Sequence, residues 1–214
     1  AGGGPARGGL ARAVRGVVRE PAFNAVTLAA LLNDFAGWSL IGWQSSFYER
    51  TYELTAADYA PYLAAILPLG GIVGGLGGGW LADRFPQRRR LLLAGSSALA
   101  APLVAASLLA PDFKASLALL LPGFALTEVF RAPAAVMTRD AAPDGLQSSA
   151  SATHLAVRNM FGGLGPLAVS LLAQREGVGG LQGALLLVPG CYLASALSFV
   201  WAERELGRQA ERGA

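Results

Sequence analysis

Hydrophobic residues run along this chain in six long segments, and the stretches between them hold most of the charged residues. The pattern places these segments at residues 22–48, 61–83, 91–110, 115–138, 148–173 and 181–201. Each is close to the roughly 20 residues that an α-helix needs to cross the hydrocarbon core of a bilayer. The sequence therefore predicts an all-α integral membrane protein built as a six-helix bundle.

Local features refine this picture at three places. Pro166 and Pro189 lie inside the fifth and sixth segments, and each should kink its helix because proline has no backbone N–H. Thr55 and Asp58 have the spacing of a capping box. They predict a helix start just before the second segment.

The composition supports the membrane class. Hydrophobic residues make up 53% of the chain and charged residues 14%, whereas soluble domains carry about 25% charged residues. One histidine and one cysteine cannot form a metal cluster, and no phosphate-binding loop is present. We therefore expect no enzymatic activity, no cofactor and no metal. The basic block at 88–90 borders a span, so we expect it to contact lipid headgroups rather than nucleic acid.

The first 20 residues are basic and precede the first hydrophobic segment. Residues 10–19 place apolar side chains on one helical face and arginines elsewhere, which is typical of a short helix lying on a membrane surface. An arginine-rich transit peptide is the alternative interpretation. We divide the chain into a linker at 1–20, a six-span bundle at 21–203 and a tail at 204–214.

Basic residues are divided unevenly between the two ends of the predicted helices. Arg50, Lys114 and Arg175 lie at one end, and Arg131 and Arg158 lie within segments. The other end holds Arg7, Arg12, Arg15, Arg19, Arg84, Arg88, Arg89, Arg90, Arg139, Arg204, Arg208 and Arg212. The positive-inside rule puts that end, and with it both termini, in the cytoplasm.

The second segment is dense in glycine and ends in a charged loop. Its glycines form two strips, and within each strip the glycines are four residues apart. One strip holds Gly70, Gly74 and Gly78, and the other holds Gly71, Gly75 and Gly79. Glycine strips let another helix approach closely within a membrane. The loop resembles the signature of the major facilitator superfamily at Gly79, Asp83, Arg84, Arg88 and Arg89, with Pro86 where that signature has glycine.

The resemblance covers residues 22–201, and it can be narrowed to one branch of the superfamily. The stretch FYERTYELTAADYAPYLAAILPLGGIVGGLGGGWLADR is similar to two helices of spinster-like transporters. The stretch SSASATHLAVRNMFGGLGPLAVSLLAQ, with Gly165 and Pro166, is similar to a third helix of these transporters. The basic lead-in looks like the linker before a C-terminal half. The chain begins at Ala1 without a methionine, so we expect a fragment or a processed product whose partner is an N-terminal six-helix half.

Charged residues inside the segments are the candidate substrate or proton sites. They are Asp34, Glu128, Arg131 and Arg158, and each costs about 2.5–3.5 kcal/mol at the bilayer centre. Asp34 has no basic residue one turn away, which favours a functional role over a structural hydrogen bond. Glu128 and Arg131 share a helical face, and both a structural pair and a functional pair remain open. We expect Arg158 to face an anion and His154 to be a satisfied polar residue.

The loop residues Gly79, Asp83, Arg84, Arg88 and Arg89 are predicted to form a conformational latch. Asp83 should be held at the N-terminus of the fifth helix, where unpaired amides carry a partial positive charge. The glycine strip would bring the two helices together, and Arg84 and Arg88 would pair with Asp140 or Asp144. In the family this loop favours the outward-open state, so the resemblance points the same way.

The resemblance implies a secondary transporter that works by alternating access, with a solute site near the midplane. For the spinster-like branch the solute would be lipid-like or amphiphilic, with membrane lipids as neighbours. Two alternatives remain open. One is another branch that moves a small organic anion or drug by proton coupling, and the other is a membrane sensor without transport.

Overall fold

The computed structural model describes residues 7–176 and 180–213, and within these ranges every regular element is helical. Six stretches of the described chain are long and apolar enough to cross a membrane. These are called spans 1 to 6, in order Pro21–Thr51, Ala56–Arg84, Leu91–Leu108, Phe113–Asp140, Gln147–Gln174 and Gly180–Gln209. The predicted six-helix bundle is confirmed, with ends that differ from the predicted ones by up to several residues.

The spans are built from ten α-helices and one short 3-10 helix in the described residues. The bounds are α1 Arg7–Val18, α2 Pro21–Thr51, α3 Ala56–Arg84, the 3-10 helix Pro86–Arg88, α4 Arg89–Leu108, α5 Phe113–Glu128, α6 Arg131–Asp140, α7 Gln147–Gly162, α8 Gly165–Glu176, α9 Gly180–Leu185 and α10 Leu187–Gly213. Helix α10 continues through the predicted tail at 204–214 as far as Gly213. Spans 4, 5 and 6 each consist of two helices.

The three divided spans break shortly before a proline. The breaks lie at residues 129–130, 163–164 and 186, and the prolines that follow are Pro133, Pro166 and Pro189. Proline cannot donate to the carbonyl four residues earlier, so the helical ladder opens there. Both predicted kinks are present. The break before Pro133 is an additional finding, because the prolines inside α3, α4 and α5 leave those helices continuous.

Helix α3 begins where the capping pattern predicts. Asp58 accepts hydrogen bonds from the backbone N–H of Thr55 at 2.9 Å and from its hydroxyl at 2.6 Å. This satisfies a backbone donor that the first turn of a helix leaves unpaired. The short connection between spans 1 and 2 is fixed in this way.

Only one of the two glycine strips of α3 is a packing surface. A Cβ at Gly70 would lie 2.7 Å from the ring of Phe124, and a Cβ at Gly74 would overlap the carbonyl oxygen of Ala125. Gly71 and Gly75 face open space, with nothing within 4 Å of a Cβ. The buried strip therefore packs against span 4. The predicted packing of this strip against span 5 is wrong, because its closest contacts are with residues 124–129 of span 4.

The two ends of the bundle differ in character. At one end Tyr48, Tyr52 and Tyr62 cluster around Phe113, with the Tyr48 and Phe113 ring centroids 5.1 Å apart. At the other end Val17 of α1 is fully buried in a small apolar cluster formed with the turn between spans 4 and 5. The charged loop that follows α3 and joins spans 2 and 3 also lies at this end.

Candidate functional site

The four charged residues predicted inside the spans come together in the folded chain. Asp34 lies on α2, Glu128 ends α5, Arg131 begins α6 and Arg158 lies on α7. They form a chain of contacts in which each carboxylate is next to a guanidinium group. Spans 1, 4 and 5 therefore meet at one cluster of opposite charges.

The buried centre of this cluster is the ion pair between Asp34 and Arg158. The Nε of Arg158 donates to Asp34 Oδ2 at 2.6 Å, and the two side chains are only 4% and 8% exposed. Gly162 allows the approach, since a Cβ there would lie 3.1 Å from the Asp34 Cβ. Asp34 has no basic residue one turn away on its own helix, and its partner comes instead from span 5.

Glu128 and Arg131 pair across the break in span 4. The Nε of Arg131 is in close contact with one Glu128 oxygen, and its Nη2 donates to the other at 3.0 Å. The Nη1 of Arg131 also lies 3.8 Å from Asp34 Oδ1. The Arg131 side chain is 46% exposed, in contrast to 12% for Glu128. Arg131 is thus the member of the cluster that an incoming ligand can reach.

One aromatic ring contacts both arginines of the cluster. The guanidinium carbons of Arg158 and Arg131 lie 5.1 Å and 5.7 Å from the ring centroid of Phe130, within the range of cation–π attraction. Phe130 is 2% exposed and belongs to the break in span 4. Sequence analysis missed it, because a phenylalanine in an apolar segment gives no sign of contact with charge.

His154 is a satisfied polar residue, as expected. It is 2% exposed, its Nδ1 lies 3.0 Å from the hydroxyl of Thr27, and its Nε2 lies 3.4 Å from Arg158 Nη1. Arginine can only donate, so Nε2 is the acceptor and Nδ1 carries the proton that is donated to Thr27. His154 thus contacts Nη1 of Arg158, while Asp34 accepts from its Nε.

Asn33 faces the other way from its neighbour Asp34. Its Nδ2 donates to Ser97 at 2.9 Å and to Ser195 at 2.8 Å, and Ser195 donates to the carbonyl of Ala29 at 2.8 Å. These serines were not singled out in the sequence. Adjacent residues of α2 therefore have different roles. Asn33 links spans 1, 3 and 6 by hydrogen bonds, and Asp34 belongs to the charged cluster.

One carboxylate oxygen of the cluster accepts no hydrogen bond. Asp34 Oδ1 is buried and has no hydrogen bond among the described residues. It borders a narrow cleft lined by Asn33, Asp34, Gly37, Trp38, Ile41, Thr127, Glu128, Phe130 and Arg131. The cleft contains both carboxylates and the exposed arginine. A proton or a small polar group that entered it would meet Asp34 and Arg131 together.

The predicted latch contact is not formed in this structure. Asp83, Arg84 and Arg88 are exposed and have no ion pair with any residue in the described ranges. Arg89 pairs with Asp140 at 3.3 Å, so the loop is held by a different arginine from those expected. Gly79 is open, with Ala132 3.7 Å from a Cβ at this position. The cause is the packing of α3 on span 4 rather than on span 5.

The fold and this cluster define a multi-pass membrane protein with a charged centre. The chain belongs to the major facilitator superfamily, whose sequence profile matches residues 3–166. A search of curated proteins finds no match. Within 7–176 and 180–213 no group of three or more side chains could hold a metal ion.

Solved structures of a bacterial homologue of the human lysosomal transporter Spinster share this fold. The inward-facing, occupied form has a TM-score of 0.73 at 17% identity, covering 86% of this chain and 49% of the homologue. The inward-facing, unoccupied form has a TM-score of 0.66 at 18% identity, covering 96% and 51%. The chain therefore spans about half the length of the structures it matches, and it has a spinster-like fold.

Proposed function

We propose that the chain is the C-terminal half of a secondary active transporter that moves an organic, lipid-like solute by alternating access. Family membership supports transport, and the spinster-like fold supports a solute of this class. Transporters built from two repeats bind their solute near the bilayer midplane between the halves. The observation that carries the proposal is the buried pair of Asp34 and Arg158, joined to the partly exposed Arg131.

The missing wall of the transport path would be an N-terminal six-helix half. Spans 2 and 5 are the least buried, each with 22% of its most apolar window inside the bundle, whereas span 1 has 56%. Leu76, Trp80 and Met160 are 72%, 65% and 64% exposed on these two spans. We infer that the second half packs there, and that both termini face the cytoplasm.

In this proposal Asp34 is the coupling carboxylate. Protonation would remove its charge and weaken its hold on Arg158, which links spans 1 and 5. Glu128, Arg131 and Arg158 would then be free to contact the polar part of the solute. A proton and a solute would thus act on the same set of ion pairs, which is what coupling requires.

The alternative solute is a small organic anion or drug. The exposure of Arg131 favours it, because a guanidinium group binds carboxylates and phosphates in bidentate geometry. Flux of an amphiphilic lipid analogue, compared with flux of a simple organic anion, separates these two solutes. Absence of flux for both, in a folded two-half assembly, would favour a membrane sensor.

The test is flux into proteoliposomes under a pH gradient. We expect the chain with an N-terminal half to transport, the chain alone to match empty vesicles, and Asp34→Asn to lose the gradient-driven part at least tenfold. Asp144→Asn, which removes an exposed loop carboxylate, is the matched control. Unchanged pH dependence in Asp34→Asn would contradict the coupling role. Robust flux by the chain alone would contradict the need for a different half.

A further inference from the structure

A second candidate binding site lies far along the chain from the charged cluster, where spans 2 and 3 join. A groove of about 310 Å³ opens there between the end of α3 and the start of α4, and it is lined by Leu81, Phe85, Arg88, Leu91 and Leu92. We propose that this groove binds an anionic phospholipid, with an acyl chain along the apolar wall and the phosphate against Arg88.

The apolar wall of the groove is exposed at a place where water would be an unfavourable neighbour. Phe85 is 47% exposed and Leu91 is 63% exposed, although both lie at the ends of membrane spans. Exposed apolar area of this kind is unfavourable in water. A hydrocarbon chain lying along these residues removes that cost, and a water-soluble ligand does not.

The polar end of the groove is positively charged. Arg88 lines it, and the guanidinium group of Arg84 lies 5.8 Å from the centroid of the Phe85 ring beside it. Neither arginine has an ion pair among the residues that the structure describes, whereas Arg89 is neutralised by Asp140 at 3.3 Å. Two arginines are therefore available to an external anion. Asp83 is the nearby opposing charge, and it is not among the groove residues.

The position of the groove matches the level of lipid headgroups. Span 2 ends at Arg84 and span 3 begins at Leu91, so the groove straddles the point where both leave the hydrocarbon. Helix α4 also begins there, and the positive end of its dipole favours a negative charge. The apolar groove, the two arginines without an ion pair and the position at the level of the headgroups all point to one amphiphilic anion. Basic pockets between spans at the cytoplasmic side are known binding sites for such lipids.

The charge part of the proposal is tested with an arginine variant and its matched control. The purified protein in detergent is titrated with phosphatidylglycerol, phosphatidylethanolamine or phosphatidylcholine, and bound lipid is counted by native mass spectrometry. We expect phosphatidylglycerol to bind best, and Arg88→Ala to weaken it about fivefold, the effect of one arginine near a membrane surface. Arg139→Ala removes another exposed arginine at the same end and should leave binding unchanged.

The groove part is tested by filling the space without changing charge. Leu92→Trp should block the acyl chain and reduce phosphatidylglycerol binding at least fivefold, whereas Leu99→Trp, at a 60% exposed position of the same helix, should not. Circular dichroism of all four variants checks that the bundle is intact. Equal binding of the three lipids, or equal loss in Arg88→Ala and Arg139→Ala, would overturn the proposal. So would normal binding in Leu92→Trp, since the arginines alone would then attract the lipid.

Discussion

The Nε of Arg158 lies 2.6 Å from Oδ2 of Asp34, and this contact joins positions that are 124 residues apart in sequence. Both side chains are nearly inaccessible, so neither charge has water as an alternative partner. A buried pair of this kind is costly to break from one side, because the remaining charge stays buried and uncompensated. The stability of spans 1 and 5 should therefore depend on both residues at once.

Arg158→Leu should lower the free energy of unfolding by up to about 3–5 kcal/mol, because Asp34 is left as a buried charge whose remaining basic neighbour, Arg131, lies 3.8 Å away. Adding Asp34→Asn should restore part of the loss, with a coupling energy of about 0.5–3 kcal/mol between the two sites. Unfolding in mixed micelles, followed by circular dichroism, measures both. Arg139→Leu, at an exposed position, should change stability by less than about 0.5 kcal/mol. Strictly additive effects in the double variant would contradict the pairing.

Gly74→Ala should destabilise the bundle, and Gly75→Ala should not. The added methyl group at Gly74 would overlap the carbonyl of Ala125, and overpacking of this kind costs about 1–3 kcal/mol or more. At Gly75 there is open space, so alanine should be neutral or improve helix stability by up to about 1 kcal/mol. The same unfolding assay compares the two neighbours. Equal effects would mean that α3 does not pack on α5 along the Gly70–Gly74–Gly78 strip.

Asn33→Ala should affect stability but not coupling. It removes two hydrogen bonds, to Ser97 and Ser195, and such bonds between membrane helices are worth about 0.6 kcal/mol each on average. The charged cluster beside it keeps all of its members. We therefore expect a loss of about 1 kcal/mol in unfolding and an unchanged pH dependence of flux. A pH dependence that shifts as it does in Asp34→Asn would show that the two neighbours act as one unit.

Asp83→Asn tests the latch, which remains a prediction. Asp83 has no ion pair within the described residues, so the substitution should leave the stability of this conformation unchanged. If the latch forms in the outward-open state, its loss should raise the inward-open population between about twofold and thirtyfold, the range given by helix-end electrostatics. Cysteine labelling from the cytoplasmic side of the cavity measures this. An unchanged labelling rate in folded protein would leave Asp83 as an ordinary interfacial charge.

The six spans could be predicted because a bilayer imposes a length and a polarity on each helix, and both can be counted in the sequence. The charged residues could be found for the same reason, since a charge inside an apolar segment stands out. The family followed from five charged or glycine positions in one loop. These features are local, and a single chain is enough to find them.

The partners of the charged residues could not be predicted in the same way. Arg158 and Asp34 are on different helices, and their meeting depends on Gly162 lying against Asp34. Which of two equally spaced glycine strips would be buried was also undecided, because spacing alone does not fix the rotation of a helix about its axis. The latch contact was predicted incorrectly for this reason, because it required the glycine strip of α3 to face span 5. Phe130 was missed because its role comes only from its contacts with two arginines.

The break in span 4 gives the pair of Glu128 and Arg131 a meaning beyond local charge balance. Glu128 is the last residue of α5 and Arg131 is the first of α6, so the ion pair bridges a joint in the helix. Pro133 denies the carbonyl of Val129 its usual partner, and the bare surface of Gly78 lies against that oxygen. The ion pair therefore ties the two halves of this membrane-spanning helix together where the proline interrupts the backbone hydrogen bonds.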